Sequence, residues 1–181
     1  MTRALKRITI KNLASIIGKQ LNKYDIDAVL TGGACVTVFS RNMYVSSDLD
    51  FVSSATEDMP RVVKKAMEEI GFSRSAEGYF RNPDYPYFIE FISSPLAVGK
   101  EPPKKVIKMK TKMGSFRLLS PTDCVKDRLA AYFHWDDLQS LKQAVMVAAN
   151  QRVDLKELRR WSKAEGHPDK HNDFLKQLKK K

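Results

Sequence analysis

The amino-acid sequence predicts an α/β (α+β) fold: a mixed β-sheet flanked by helices, with a C-terminal helical part. Three observations support this: helical spacing of apolar residues near the N-terminus, short β-prone segments before residue 120, and only helical spacing after it. The chain has 181 residues, 43% of them hydrophobic, which suits one domain with at most a small appendage. We expect an α/β domain over residues 1–119 and a helical part over residues 120–181 packed on it.

The first part of the chain predicts helices and strands in alternation. Apolar spacing predicts a helix over residues 4–23 and, after a short apolar strand at 28–31, a second helix over 34–40. Residues 47–53 alternate polar and apolar side chains, as a half-buried strand does. A third helix begins at Pro60, because proline suits the first helical turn.

The second part predicts strands and then helices. Strands are expected over residues 77–81, 87–92 and 105–119, the last with a break or bulge at Gly114. After residue 120, four apolar stripes at helical spacing predict four helices.

Several classes of protein are excluded. The apolar runs are too short to span a bilayer, and lysines interrupt the N-terminal segment where a signal peptide needs an apolar core. The two cysteines, Cys35 and Cys124, cannot form a disulfide framework or a four-ligand zinc site, and their apolar neighbours predict burial. A reducing cytoplasmic location and no membrane partner are therefore expected.

The positive charge is concentrated in two segments. The net charge is +11, of which residues 100–117 carry +6 and residues 150–181 carry +5, so the remainder of the chain is neutral. Concentrated positive charge favours a polyanionic partner such as nucleic acid or a nucleotide. The alternative is that these lysines and arginines only solvate a β-ribbon and a C-terminal helix.

Three acidic residues form the most informative pattern. Asp48 and Asp50 are two residues apart on a predicted strand, so both side chains lie on one face, about 6–7 Å apart along the pleat. Glu90 stands in an otherwise apolar strand, where an ionised carboxylate is costly without a partner. If the two strands are neighbours, the three carboxylates form a site for Mg²⁺, which prefers oxygen ligands.

Gly32 and Gly33 follow the first predicted strand and precede a helix. Glycines allow close approach of a backbone, and a helix N-terminus offers free N–H groups to phosphates. Together with the carboxylates, this pattern favours metal-assisted phosphoryl or nucleotidyl transfer. Taken singly, each feature has a simpler explanation. An Asp-X-Asp motif is usually a solvated strand end, a Gly-Gly pair is usually a turn, and Glu90 alone could be a surface glutamate on an edge strand.

The sequence resembles a known superfamily at these residues. Residues 30–34 (Leu-Thr-Gly-Gly-Ala) followed by residues 47–51 (Ser-Asp-Leu-Asp-Phe) resemble the signature of the DNA polymerase β-type nucleotidyltransferases. The nearest likeness is to the minimal bacterial and archaeal branch that includes AbiEii-type toxins, which continues with segments resembling residues 121–131 and 134–138. The resemblance covers roughly residues 28–150.

The resemblance implies a mixed sheet with Mg²⁺ held by the paired aspartates Asp48 and Asp50. It implies that Gly32 and Gly33 form the phosphate-side turn, and it matches Glu90 to the third carboxylate in position only, because many members have aspartate there. Many members also have Gly-Ser where this chain has the two glycines.

The resemblance also singles out cationic residues after position 120. Arg128 stands where many members have lysine, and Lys126 precedes it on the same predicted helix. Either side chain is expected to neutralise triphosphate charge, but an arginine does not lose its proton at neutral pH and so does not act as a general base. An aspartate in residues 134–137 is expected to cap a helix, and the alternative is that Asp136 or Asp137 helps to orient one of these cations.

The sequence thus predicts a Mg²⁺-dependent nucleotidyltransferase that moves an NMP from an NTP to a hydroxyl of RNA or protein. Basic segments 100–117 and 150–181 are expected to hold the acceptor. A toxin–antitoxin component with an antitoxin partner is a further hypothesis. The alternative is a catalytically inactive module of the same fold that binds nucleic acid or a partner protein.

Overall fold

The computed structural model describes residues 8–53, 58–93 and 95–181. The elements in these ranges are, in chain order, α1 (Ile10–Lys23), β1 (Ala28–Leu30), α2 (Gly32–Phe39), β2 (Asp48–Ser53), α3 (Met59–Glu69), β3 (Ser73–Arg74), β4 (Phe80–Arg81), β5 (Phe88–Ser93), β6 (Val106–Thr111), β7 (Gly114–Leu119), α4 (Pro121–Trp135), α5 (Leu138–Asn150), α6 (Leu155–Ala164) and α7 (Pro168–Leu178). None of the helices described is long and apolar enough to cross a membrane.

All seven strands join one mixed sheet, in the order β3-β4-β5-β2-β1-β7-β6. β1 pairs antiparallel with β2 and parallel with β7, and β2 pairs parallel with β5. This mixed sheet with flanking helices confirms the predicted fold class. The parallel pairing of β2 with β5 is the connection that matters for the site, because it brings residues 40 positions apart side by side.

The two faces of the sheet differ in character. Leu49 and Phe51 on β2 point to one face and are fully buried there. On this face α1 packs against β7 so closely that a Cβ atom at Gly18 would lie 2.8 Å from the Cβ of Phe116. Asp48 and Asp50 alternate with these residues and therefore point to the opposite face, where they are only half-buried.

Two strand predictions are wrong in detail. Residues 105–119 were expected as one strand, but they form the antiparallel hairpin of β6 and β7, with Gly114 at φ +147° beginning the second strand. Alternation continues on both sides of the turn, and the turn lacks the Asn-Gly or Pro signals that mark most hairpins. Residues 77–81 contribute only the two-residue strand β4, and β3 was not expected.

The C-terminal helices pack on the sheet domain through α2, which contacts both α4 and α5. Lys126 on α4 is fully buried, and its ammonium donates to Glu157 on α6 at 2.6 Å and lies 3.5 Å from Asp123. Glu157 also accepts from Arg160, which in turn binds Glu101 ahead of β6. A buried ammonium is tolerated only with such partners, so this network fixes α6 against α4.

The pH dependence of stability tests this network. The Arg160 guanidinium and the Lys126 ammonium lower the pKa of Glu157 from 4.5 to about 2. Because the folded-state pKa lies below the unfolded value, the stabilisation is complete above about pH 4.5 and is lost as pH falls towards 2. We expect Glu157→Gln to lower the free energy of unfolding by about 3 kcal/mol at neutral pH, since it leaves a buried ammonium short of a partner.

Urea unfolding from pH 7 down to 3 provides the measurement. The difference between wild type and Glu157→Gln should shrink as pH falls. Glu68→Gln is the matched control, because Glu68 forms an exposed pair with Lys64 and should contribute below about 0.5 kcal/mol. A difference in the free energy of unfolding that stays constant at all pH values would contradict the proposed stabilisation by ionised Glu157.

Candidate active site

The register of β2 and β5 places three carboxylates on one face of the sheet. Asp50 lies directly opposite Glu90, and Asp48 lies opposite Phe88. Paired positions on neighbouring strands share a face and are about 4.8 Å apart between strand axes. The condition that the sequence left open is therefore met: the strand of Glu90 adjoins the strand of the two aspartates.

This arrangement is electrostatically costly for Asp50. Burial, together with the negative charges of Asp48 and Glu90, raises the pKa of Asp50 to about 6, although the charge of Arg128 acts in the opposite direction. The nearby positive charge thus offsets only part of the effect of burial and repulsion. A cation or a positively charged ligand group would favour the ionised cluster.

The Gly-Gly turn lies against Asp50. Gly32 has φ +62°, and a Cβ atom there would lie 2.5 Å from Oδ2 of Asp50. The Thr31 amide donates to the Asp50 carbonyl at 2.9 Å, which holds the start of α2 against β2. Thr31 makes no side-chain cap to α2, so the first amides of this helix are not used by a capping side chain. Position 32 therefore requires glycine, both for its positive φ and because a side chain would clash with Asp50.

Ser46 is a site residue that the sequence analysis missed. Its hydroxyl donates to Oδ1 of Asp48 at 2.6 Å, and its amide donates to Oγ1 of Thr37 at 3.0 Å. A Cβ at Gly33 would lie 2.7 Å from the same hydroxyl. Ser46 therefore fixes the orientation of Asp48 and connects it to α2. A serine two residues before an aspartate is too common to have indicated this role.

Arg128 is placed near the carboxylates by α4. Its guanidinium donates to Asp127 at 2.7 and 3.0 Å and contacts the amide oxygen of Gln143 at 3.5 Å, with 19% of the side chain exposed. Its effect on the pKa of Asp50 shows that the two charges interact. Arg128 therefore stays a predicted member of the site.

Lys126 does not join this group. Two residues along a helix correspond to a rotation of about 200°, so Lys126 and Arg128 face opposite sides of α4. The Lys126 ammonium is fully buried in its pair with Glu157, with no exposed surface to offer a phosphate. We therefore leave Lys126 out of the proposed site, contrary to the expectation from sequence.

The other singled-out residues have structural positions. Asp137 caps α5 by accepting from the amides of Gln139 and Ser140, which confirms the predicted cap. Cys35 and Cys124 are free and fully buried, as expected.

The carboxylates of this site suit a Mg²⁺ ion that binds together with a nucleotide. Among the described residues, no three His, Cys, Asp or Glu side chains stand close enough to hold a metal ion by themselves. Mg²⁺ usually needs only one or two carboxylates, because substrate phosphates and water supply its other ligands. Asp48 and Asp50 supply two carboxylates, and both side chains are only half-buried. They therefore fit an ion whose remaining ligands come from a nucleotide and water.

Comparison with known proteins identifies the fold. No model of a known protein family matches the chain, and no curated protein matches it either. Among solved structures, an antigenic nucleotidyltransferase-like protein from Paracoccidioides brasiliensis is similar with a TM-score of 0.62 at 14% identity, over 97% of this chain and 89% of that one. ANT(2'')-Ia in complex with adenylyl-2''-tobramycin is similar with a TM-score of 0.51 at 11% identity, over 87% and 96% of the two chains. The chain therefore has a nucleotidyltransferase-like fold.

Substitution of Gly32 tests the close packing at the turn. Gly32→Ala should lower the free energy of unfolding by about 2–4 kcal/mol, because a positive φ and a clash with Asp50 act together. Gly166→Ala is the matched control, since Gly166 also has a positive φ (+85°) but a Cβ there meets nothing within 4 Å. Denaturant unfolding should show a clearly smaller loss for Gly166→Ala, and equal losses would contradict the contact between the turn and Asp50.

Proposed function

We propose that this protein transfers a nucleoside monophosphate from an NTP to a hydroxyl group of an acceptor. The observation that carries the proposal is the cluster of Asp48, Asp50 and Glu90 on one face of the sheet, directly beside a glycine turn. The structural neighbours support the proposal because they share the fold. ANT(2'')-Ia is in complex with adenylyl-2''-tobramycin, and we extend nucleotidyl transfer, but not tobramycin, to this chain.

The phosphates of the nucleotide would bind on the side of β1. Gly32 and Gly33 let the start of α2 pack closely on Asp50 and Ser46. The first amides of α2, which no side chain of Thr31 caps, would donate to the phosphates, and the helix dipole favours their negative charge. Arg128 would neutralise part of the triphosphate charge, since a guanidinium pairs well with phosphate oxygens. It would do so while Asp127 and Gln143 keep it in place.

The carboxylates have separate proposed roles. Asp48 and Asp50 would hold Mg²⁺, which when bound offsets phosphate charge and favours the leaving group. Ser46 keeps Asp48 oriented for this. Glu90, on the neighbouring strand, would accept a hydrogen bond from the acceptor hydroxyl and then its proton. The α-phosphorus would lie above these groups, where the Gly-Gly turn ends.

A second candidate function is binding of nucleic acid without catalysis. Its specific support is the β6–β7 hairpin, which exposes Lys108 and Lys110 on the edge strand β6 and Lys112 in the turn that follows it. The other basic segment is partly committed within the protein, because Arg160 binds Glu101 and Glu157, and Lys170 binds backbone carbonyls of α4. The hairpin is thus the stronger candidate of the two for a polyanion.

The likeness to AbiEii-type toxins leads to a narrower form of the proposal, in which the protein is the toxin of a toxin–antitoxin pair. A partner protein that binds it and blocks nucleotide transfer would support this form. Such a partner would be sought by co-purification from the native cell.

Nucleotide binding tests the leading proposal. Calorimetry with each of the four NTPs and Mg²⁺ should show binding by the wild type, and Asp48→Asn with Asp50→Asn should weaken it at least about tenfold, because two ionised ligands are lost. Asp58→Asn is the control, since Asp58 is 79% exposed and pairs only locally with Arg61. Absence of Mg²⁺-NTP binding in the wild type would refute the proposal.

The role of Arg128 has its own test. Arg128→Gln should raise the dissociation constant for Mg²⁺-NTP about 10- to 100-fold, because a charge-assisted hydrogen bond contributes about 1.5–3 kcal/mol. Arg61→Gln, which changes an arginine that is 87% exposed, should leave the constant unchanged. Equal affinities for wild type and Arg128→Gln would remove Arg128 from the site. Binding of nucleic acid by a wild-type protein that neither binds Mg²⁺-NTP nor transfers nucleotide, unchanged when both aspartates are replaced, would favour the second function.

A further inference from the structure

A patch of two aromatic rings and a guanidinium extends the carboxylate face towards the other edge of the sheet. The guanidinium carbon of Arg81 lies 4.2 Å from the ring centroid of Phe88. The ring centroids of Tyr79 and Phe88 are 6.3 Å apart. Arg81 is exposed, Tyr79 is 36% exposed and Phe88 is half-buried. These three residues, named here the ring patch, have no part in the roles assigned above.

Strand register places the ring patch beside the carboxylates. Phe88 pairs with Asp48 across β5 and β2, so the two side chains share a face. Phe80 pairs with Ile89 in the antiparallel ladder of β4 and β5, which brings Arg81 opposite Phe88 on that face. Asp48, Phe88 and Arg81 thus form a row across three strands, with steps of about 4.8 Å.

The geometry of phosphoryl transfer decides what this patch would bind. The attacking oxygen and the leaving oxygen lie roughly in line on opposite sides of the phosphorus. Gly32, Gly33 and Arg128 would hold the leaving pyrophosphate on the β1 side of Asp48 and Asp50. The acceptor must then approach from the β5 side, and that side carries Glu90 and the ring patch.

The side chains of the patch indicate the chemistry of the acceptor. Aromatic rings and arginine planes stack on nucleobases, and an arginine also attracts phosphate. The charge of Arg81 would repel a polycationic acceptor. We propose that Tyr79, Arg81 and Phe88 form the acceptor subsite and stack a nucleobase of the acceptor, which is a free nucleotide or the end of an RNA strand. This inference rests on the function proposed above and specifies its acceptor.

The transfer step balances with these groups. The acceptor hydroxyl oxygen forms a bond to the α-phosphorus of the NTP, and the bond from that phosphorus to the bridging oxygen of the β-phosphate breaks. Pyrophosphate leaves with the electron pair, and the hydroxyl proton passes to the Glu90 carboxylate and then to water. Stacking of the base holds the hydroxyl in line for this attack.

Binding of matched oligonucleotides tests the subsite. Fluorescence anisotropy would compare a labelled single-stranded oligoadenylate with an abasic ribose-phosphate strand of the same length and charge. The wild type should prefer the oligoadenylate, and Phe88→Leu and Arg81→Gln should each reduce that preference about fivefold or more, because stacking contributes about 1–3 kcal/mol per base. Arg81→Gln changes only an exposed side chain, so its result stands even if Phe88→Leu folds poorly. Trp135→Leu is the control, since Trp135 is an aromatic residue that is 76% exposed at the far end of α4.

Parallel measurements separate the possible outcomes. Competition by AMP that depends on Phe88 supports a free nucleotide as acceptor, whereas competition by the oligonucleotide alone supports an RNA end. Equal affinity for the two strands, or a preference unchanged in both variants, overturns the acceptor subsite. Mg²⁺-NTP affinity should stay within about twofold in both variants, as the ring patch does not contact the phosphates. Absent NTP binding in the wild type overturns the proposed function instead.

Discussion

Parallel pairing of β2 with β5 is the constraint on which the site depends. It holds Asp48, Asp50 and Glu90 on one face of the sheet, where burial and mutual repulsion raise the pKa of Asp50 to about 6. Hydrophobic packing of Leu49 and Phe51 on the opposite face fixes the register, because a shift by one residue would bury the aspartates. The stability of the core therefore maintains an electrostatically unfavourable cluster, and a cation with phosphates would relieve it.

Other features of the site follow from this cluster. Gly32 leaves no side chain between α2 and Asp50, Ser46 keeps Asp48 in one orientation, and Arg128 supplies a nearby positive charge without pairing directly with either aspartate. In the proposed function, Arg128 and the first amides of α2 would face the triphosphate on the β1 side. The ring patch, which includes the guanidinium of Arg81, would face a planar acceptor on the β5 side.

The sequence was informative where the signal is local. Period-two alternation placed Asp48 and Asp50 on one face, and helical spacing with glycine and proline signals located most helices. Contacts between distant segments left no such signal, because the pairing of Glu90 with Asp50 depends on the order of the strands. β6 and β7 were merged because the two residues of their turn, Lys112 and Met113, are not typical turn residues and Gly114 alone was interpreted as a break or bulge. Lys126 was misplaced because its neutralisation by Glu157 depends on how α6 packs on α4. The ring patch was missed because its residues meet only through the pairing of β4 with β5. Ser46 was missed because a serine two residues before an aspartate is common.

A structure of the protein with Mg²⁺ and a non-hydrolysable NTP tests the central claim most directly. The account predicts one cation bound by Asp48 and Asp50, the β- and γ-phosphates at Gly32, Gly33 and Arg128, and the β5 side of the α-phosphate open to the ring patch. A nucleotide bound elsewhere, such as along the lysines of the β6–β7 hairpin, with no cation at the aspartates, would contradict it.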